Sequence, residues 1–312
     1  MATRATQLPG VIFTLSRVDN AAPGKQPTVT FSVKNKAGSV VDISQMALLN
    51  LVMTGPTTDY NGYVSEDVRK ATPVGGQYTY TFSAAIPANA TGSYAIGVEG
   101  YNNVTVNPNT TLSQVVRDSG FNQMIYFTVD GTKVAPRRKV VSQANCLGCH
   151  NTLLLHGGMR QNVEYCVVCH NPGVTDSSMR AANDTPESVN FKSMIHKIHT
   201  GNNLTNDFTI MGHGSTPTNF NDVGYPGDRR DCVRCHIAGT YNLPLPDGLI
   251  SQQAPRDYIN PMPPVSGACL SCHTLQSDAA HASLQTSPTL GESCTACHGS
   301  TSTDSVANVH AR

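Results

Sequence analysis

The first 136 residues contain neither cysteine nor histidine, although the whole chain has 10 cysteines and 11 histidines. The chain has no tryptophan and a formal net charge of zero. The zero charge gives no support to binding of nucleic acid or of an anionic membrane surface. No run of about 18 apolar residues occurs, which excludes a membrane-spanning helix. The uneven distribution of cysteine and histidine predicts two domains, residues 1–136 and residues 137–312.

All ten cysteines lie in five copies of the motif Cys-x-x-Cys-His. In this motif two thiols form thioethers with the vinyl groups of a porphyrin, and the adjacent imidazole binds the iron from one side. The motif therefore predicts five covalently attached haem c groups. The copies are Cys146, Cys149 and His150; Cys166, Cys169 and His170; Cys232, Cys235 and His236; Cys269, Cys272 and His273; and Cys294, Cys297 and His298.

Zinc sites and disulfides are the alternative uses of these cysteines. The first four follow the pattern C-x2-C-x16-C-x2-C, which lies in the spacing range of a four-cysteine zinc ribbon. Disulfides form in an oxidising compartment. Neither alternative explains why a histidine follows every second cysteine, and two four-cysteine zinc sites would leave one pair over. Haem c is the favoured interpretation.

Residues 1–136 predict an antiparallel β domain, a Greek-key sandwich or a split barrel. Short segments alternate apolar and polar residues and are separated by Gly, Pro and Asn. No catalytic constellation is visible in this part, so a structural or docking role is expected. The segments predicted as strands are 29–34, 48–53, 78–82, 94–99 and 124–129.

Residues 137–312 predict a mostly irregular pentahaem domain with short helices around the motifs. The stretches between motifs are too short to build hydrophobic cores of their own, so the porphyrins would supply the apolar interior. One helix is predicted from the spacing of Phe191, Met194, Ile195 and Ile198, with Asn190 as N-cap and Gly201 just past the end. It carries His196 and His199, which lie about 60° apart around the axis and are expected to serve different irons.

The second axial ligand decides whether each haem carries electrons or binds a substrate. Six histidines remain outside the motifs and five are needed to close five irons. Methionine is a rival ligand, although the methionines of this half are expected to pack against porphyrin. The count predicts five bis-histidine, six-coordinate, low-spin haems that transfer electrons. The six histidines outside the motifs are His156, His196, His199, His213, His281 and His310.

The chain resembles the outer-membrane decahaem cytochromes of the OmcA/MtrC family. Four phrases carry the resemblance in addition to the haem motifs: 54–60 (TGPTTDY), 156–160 (HGGMR), 194–201 (MIHKIHTG) and 225–232 (YPGDRRDC). In that family two β domains alternate with two pentahaem domains, and this chain is similar to one such pair. Five haem sites are present where the family usually has ten.

The resemblance implies distal ligands, partners and a location. The implied distal ligands are His156, His196, His199, His281 and His310, which leaves His213 in a non-ligand role. The implied role is extracellular electron transfer to metal oxides, flavins or electrodes, at the cell surface of the outer membrane. Other cytochromes or a porin–cytochrome conduit are the implied partners. Because haem c is attached outside the cytoplasm, we expect an exported protein whose leader peptide is absent from this chain.

Two other functions stay open at this point. A multihaem oxidoreductase of nitrogen or sulfur oxyanions carries similar motifs, but its active haem needs a vacant or unusually ligated iron. A subunit of a conductive cytochrome filament would carry the same five haems as an electron carrier does. A discrete catalytic site is not expected, although terminal reduction of a metal is compatible with exposed haem edges.

Overall fold

The computed structural model of the chain describes residues 7–311 and divides them into two compact units. The first unit comprises the residues up to Arg138 together with Cys149–Val168, and the second comprises Lys139–Gly148 and the residues from Cys169 onward. Residues 1–6, at the start of the first predicted domain, and residue 312, at the end of the second, lie outside the described residues. The domain boundary between residues 136 and 137 stays a prediction.

Two antiparallel sheets form the first unit. Strands β1 (Ile12–Asp19), β2 (Thr28–Lys34), β6 (Gln77–Thr81) and β5 (Thr72–Val74) form one sheet in that order. The other has the order β4 (Tyr63–Asp67), β3 (Leu48–Thr54), β7 (Ser93–Val106) and β8 (Gln114–Ser119). Strand β9 (Gln123–Thr128) also pairs with β7, beside the first half of that long strand.

All five segments predicted as strands are strands, with ends that differ by a few residues. The largest difference is β7, which continues to Val106 instead of ending at Glu99. Its second half pairs with β8, from Tyr101 opposite Ser119 to Val106 opposite Gln114. Four strands of the first unit were not predicted (β1, β4, β5 and β8), because their apolar and polar residues alternate weakly and two of them are largely exposed.

The two sheets share one hydrophobic core. It contains Val29 and Phe31 from β2 and Leu51, Ile96 and Val98 from β3 and β7, all at most 1 % exposed. These residues are two apart along each strand, so they point to one face of each sheet. The alternation recognised in the sequence therefore marks the side chains that hold the two sheets together.

The remainder of the chain folds into short elements joined by irregular backbone. A short 3-10 helix, Ile43–Gln45, precedes β3. The later helices are α1 (Gln143–Leu147), α2 (Val163–Cys169), α3 (Phe191–Thr200), α4 (Pro264–Cys269), α5 (Gln276–Leu284), α6 (Thr295–His298) and α7 (Val306–Val309). Four 3-10 helices cover Ser177–Met179, Gly201–Asn203, His213–Ser215 and Cys232–Arg234. Two hairpins pair β10 (Thr209–Gly212) with β11 (Thr216–Asn219) and β12 (Thr286–Ser287) with β13 (Gly291–Glu292).

Helix α3 is the helix predicted from the sequence, with Asn190 at the N-cap position and Gly201 at the C-cap. Two details differ. The Asn190 side chain makes no capping hydrogen bond, and the side chains that are fully buried are Ser193, Lys197 and Thr200. The apolar stripe used to predict the helix is only half-buried against protein. This half-exposure is what a helix covered by porphyrin would show.

The described residues therefore form a β-rich structure with few, short helices. None of these helices is long and apolar enough to cross a bilayer. Sandwich or barrel class and the order of β and haem domains stay predictions.

Truncation of Leu51 tests the shared core. Leu51 is fully buried between the sheets, so Leu51→Ala should lower the free energy of unfolding by about 2–5 kcal/mol. Leu112→Ala is the matched control, because Leu112 is 71 % exposed and its truncation should change stability by at most about 0.5 kcal/mol. Urea unfolding measures both, followed by the circular dichroism of strands β1–β9, which we call the β unit. Equal effects of the two variants would contradict this assignment of the core.

Candidate haem-binding site

Each cysteine motif overlaps a short helix or a helical turn. Helix α2 carries Cys166 and Cys169, α4 ends at Cys269, α6 ends at His298, and a 3-10 turn begins at Cys232. In the last three motifs the histidine N–H donates to the carbonyl of the first cysteine, at 2.9 Å, 2.9 Å and 2.8 Å. Residues four apart on a helical turn point to one side. Each of these turns therefore presents its first cysteine and its histidine on a common face.

Three motif histidines lie opposite a histidine from outside the motifs. The ring centroids of His236 and His196 are 5.9 Å apart, with ring planes inclined by 24°. Those of His273 and His310 are 6.1 Å apart with an inclination of 61°. For the third pair, His298 and His281, the values are 6.3 Å and 78°. Each pair joins residues far apart in sequence, so the fold brings them together.

This separation fits two axial ligands of one iron. A bond between a metal and an imidazole nitrogen is about 2 Å long, and the ring centre lies about 1 Å beyond that nitrogen, so two opposite imidazoles have ring centres roughly 6 Å apart. Imidazoles in direct van der Waals contact would lie closer together. The residues present therefore fit a bis-histidine haem at these three places.

Backbone carbonyls fix the ring orientation of four candidate ligands. The Nδ1 atoms of His170, His199, His298 and His310 lie 2.8–2.9 Å from the carbonyl oxygens of Val189, Ile195, Asp304 and Val306. A carbonyl accepts only, so Nδ1–H is the donor and Nε2 keeps its lone pair. This hydrogen bond is the usual support of a metal-binding histidine, because it sets the tautomer and raises the basicity of the other nitrogen.

The His196–His236 pair is held in the neutral form. Burial, with smaller contributions from His236, Lys192 and His199, lowers the pKa of His196 to about 4. Burial also lowers the pKa of His236. Neutral imidazole is the form that binds a metal ion. The Nδ1 atoms of both rings are buried without a hydrogen-bond partner, so the protein provides this place with two uncharged rings and no competing donor.

The other predicted ligands have individual surroundings. His150 and His156 are exposed, and His156 has a left-handed backbone with φ of 51°. The His199 ring meets the Tyr225 ring edge-on, with 5.7 Å between centroids. His213, which was predicted not to be a ligand, is exposed on a 3-10 turn. The ligand roles of these residues stay predictions.

Three pairs of candidate ligands occur among the described residues. Within residues 7–311 no group of three or more His, Cys, Asp or Glu side chains lies in positions that could hold a metal ion. A haem iron takes four nitrogens from the porphyrin and needs two from the protein.

The third and fourth motifs are neighbours in space, because Cys272 lies close enough to Cys232 to affect its thiol. Partial burial raises the pKa of the Cys232 thiol, and the nearby Cys272 and Asp231 raise it further to a smaller extent.

A buried ion triad lies beside the histidines of α3. Lys197 Nζ lies 2.8 Å from Asp257 Oδ1 and 3.3 Å from Glu187 Oε1, and 5.2 Å from the centre of the Phe208 ring. The Glu187 side chain is 2 % exposed and that of Lys197 is 9 % exposed. The two carboxyl groups flank one ammonium. Burial raises the pKa of Glu187, and the nearby Lys197 ammonium opposes that shift.

This triad was missed at the sequence level. A lysine between two histidines on a short helix is usually solvated, and nothing in the pattern marks Glu187 or Asp257 as its partners. The only local indication is helical periodicity, which places Lys197 with Ser193 and Thr200 on the side of α3 turned away from the apolar stripe, where a lysine is expected to face solvent. Partners from distant segments cannot be predicted from that signal.

Comparisons with known proteins agree with this site. Residues 138–311 match the family model described as "Outer membrane cytochrome MtrC/MtrF-like, domains II/IV". A curated relative, the multihaem cytochrome MtrC of Shewanella baltica (strain OS185), is 30 % identical over 195 residues. The match covers 54 % of this chain and 28 % of that relative.

Two solved structures share the fold. The outer-membrane decahaem cytochrome OmcA has a TM-score of 0.58 at 19 % identity, and the match covers 97 % of this chain and 48 % of OmcA. MtrC from Shewanella baltica OS185 has a TM-score of 0.59 at 16 % identity, with 95 % and 53 % covered. The chain thus spans about half the length of these solved relatives.

Removal of the Lys197 ammonium tests the buried triad. Lys197→Met leaves Glu187 and Asp257 as neighbouring buried carboxylates, so the free energy of unfolding should fall by about 3–5 kcal/mol. Lys133→Met is the control, because Lys133 is exposed and its loss should cost at most about 0.5 kcal/mol. Urea unfolding of both variants at neutral pH measures the difference. A Lys197 variant as stable as the control would contradict the triad.

Proposed function

Because the chain belongs to the outer membrane cytochrome MtrC/MtrF-like family, domains II/IV, we propose that it carries electrons through five bis-histidine haem c groups. The observation that supports this most directly is the set of three histidine pairs with ring centroids 5.9–6.3 Å apart. Each pair combines one motif histidine with one of the distal histidines implied by the family resemblance. Haem c supplies reversible one-electron chemistry at iron when bound.

The polypeptide's own part in this function is to hold ligands and thiols in place. Each motif offers two thiols and one imidazole within five residues, and in the last three motifs a backbone hydrogen bond closes these residues into one turn. Carbonyl hydrogen bonds to Nδ1 keep Nε2 available and aimed. The half-buried apolar stripe of α3, residues 191, 194, 195 and 198, offers a surface that a porphyrin face can cover. We assign the distal role at the remaining two haems to His156 and His199, with His150 and His170 as motif ligands.

The architecture belongs to the same proposal. We propose an N-terminal β domain, residues 1–136, followed by a pentahaem domain, residues 137–312. The strands of the described structure lie mainly before Thr128 and all five motifs lie after Ser142, which supports this order. The β domain would then position the haem array for docking.

The proposed cellular role is extracellular electron transfer. The relatives' names describe outer-membrane cytochromes, and we extend that location to this chain. Metal oxides, flavins or electrodes are the proposed acceptors, and other cytochromes or a porin–cytochrome conduit are the proposed partners. Six histidines outside the motifs are enough to close every iron, which favours electron transfer over the oxyanion reductase alternative.

Spectroscopy of the holoprotein tests the haem count and ligation. Intact-mass measurement should give the polypeptide plus five haems, and electron paramagnetic resonance of the oxidised protein should show low-spin iron only. His196→Ala, His281→Ala and His310→Ala should each convert one haem of five to a high-spin form that binds carbon monoxide when reduced. His213→Ala is the control and should convert none.

Two results would overturn the ligation proposal. One is a high-spin signal equal to a whole haem in the unmodified protein. The other is a set of distal variants that remain fully low-spin. Oxidation of the reduced protein by flavin, ferric oxide or an electrode tests the cellular role separately. Turnover of nitrite, hydroxylamine or tetrathionate well above that of a bis-histidine control cytochrome would favour the enzyme instead.

A further inference from the structure

Strand β7 is buried on both of its faces. Tyr94, Ile96 and Val98 point into the hydrophobic core. Ala95, Gly97 and Glu99 point to the opposite face, because alternate residues of a strand do so, and Ala95 and Glu99 are also buried. This opposite face is covered within the first unit by residues 149–168, the segment that joins the first haem motif to the second. We call this face the outer face of β7.

Close contacts dock the end of that segment on the outer face. A Cβ atom at Gly97 would lie 2.6 Å from a ring carbon of Tyr165, so only glycine admits the ring there. Tyr126, opposite Ala95 on β9, donates its hydroxyl to Glu164 Oε2 at 2.9 Å. Tyr165 and Glu164 directly precede Cys166 of the second motif.

A buried ion pair holds the middle of the segment. Arg160 Nε donates to Glu99 Oε2 at 2.7 Å and its Nη2 donates to Oε1 at 3.2 Å. The Glu99 side chain is 3 % exposed and that of Arg160 is 24 % exposed. A two-point pair of this kind fixes direction as well as distance. Glu99 has no part in the β core, so Arg160 is the reason for a carboxylate at this position.

Asn122 lies between β8 and β9, and its side chain forms hydrogen bonds with backbone atoms of the same segment. Its side chain is fully buried. Nδ2 donates to Val98 O at 3.1 Å and to Met159 O at 3.0 Å, and Oδ1 accepts from Gln161 N at 2.8 Å. One amide thus connects strand β7 to both sides of Arg160. Hydrogen bonds to backbone fix the path of the chain whatever its side chains are.

The stretch held in this way closes a tight loop around His156. Leu155 and Arg160 exchange backbone hydrogen bonds of 3.0 Å and 3.2 Å. His156, Gly157 and Gly158 have φ of 51°, 74° and 89°, a left-handed run that is uncommon for residues other than glycine. From the β unit, Arg117 Nη1 donates to Gly157 O at 3.3 Å.

We propose that the outer face of β7 positions His156 as an axial ligand, with Glu99, Asn122 and Arg160 as positioning residues. The β unit then supplies part of the scaffold of one haem and is more than a docking platform. This inference rests on the proposed function, because it takes His156 to be a ligand. It goes beyond that function because it assigns the positioning of His156 to residues of the β unit.

The test compares ligand and positioning variants in the holoprotein. His156→Ala should convert one haem of five to a high-spin form that binds carbon monoxide after reduction. Glu99→Ala and Asn122→Ala should convert a fraction of the same haem, a quarter or more of its intensity, as judged by the same signal position. Glu99→Gln keeps an acceptor for Arg160 and should convert less than Glu99→Ala.

A matched control separates positioning from general damage to the β unit. Glu66 is also a hydrogen-bonded carboxylate of this unit, and it accepts from Tyr80 Oη at 2.7 Å and from Ser83 Oγ at 2.7 Å, away from residues 149–168. Glu66→Gln should leave all five haems low-spin. Circular dichroism of each variant establishes that the β strands remain. Arg117→Ala, at an exposed position, gives a variant that folds if the buried ones do not.

The outcomes separate this inference from the proposed function. If His156→Ala opens one haem and neither the buried positioning variants nor Arg117→Ala opens any, the inference is wrong and the ligand assignment stands. Opening by Glu66→Gln to the same extent as by Glu99→Ala would also overturn it. If His156→Ala leaves every haem low-spin, His156 is not a ligand and the inference is wrong, whereas the His196, His281 and His310 variants still decide the proposed function.

Discussion

The length of an iron–imidazole bond sets the distance required between the two histidine rings of each proposed haem site. The positions of several short helices depend on this distance. A motif histidine reaches its iron automatically, since two thioethers fix the porphyrin beside it. The opposite imidazole must be delivered by another part of the chain to within a few tenths of an ångström. At His236, His273 and His298 the partner ring lies at this distance. Helices of only four to ten residues are sufficient for that task.

Two kinds of contact support the histidines proposed as distal ligands. At His199 and His310 the supporting carbonyl belongs to the same helical turn, four residues earlier, so the helix itself sets the tautomer. At His156 no helix is present, and the loop that carries it is closed by backbone hydrogen bonds and held through Arg160 and Asn122. Regular structure and long-range polar contacts thus support different members of the proposed ligand set.

Much of the fold could be predicted from local patterns. Alternation found the central strands, and helical spacing found Phe191–Thr200 with its ends. The cysteine motifs and the count of histidines predict haem from the sequence alone. The face of α3 that packs on protein was not predictable, because Lys197 is buried only through carboxylates from distant segments. The pairing of histidines was not predictable for the same reason, because the two members of each pair come from separate segments of the chain. A sequence shows which ligands exist, and only the folded chain shows which two of them meet.

The covered outer face of β7 also has a consequence for the order of events during maturation. Strands Ile12–Asp19 to Gln123–Thr128 precede the first cysteine, and domains generally fold from the N-terminal end as a chain is synthesised. We therefore expect these strands to pair before residues 149–168 are available to them. The surface that receives the His156 loop would then be folded before that loop is made.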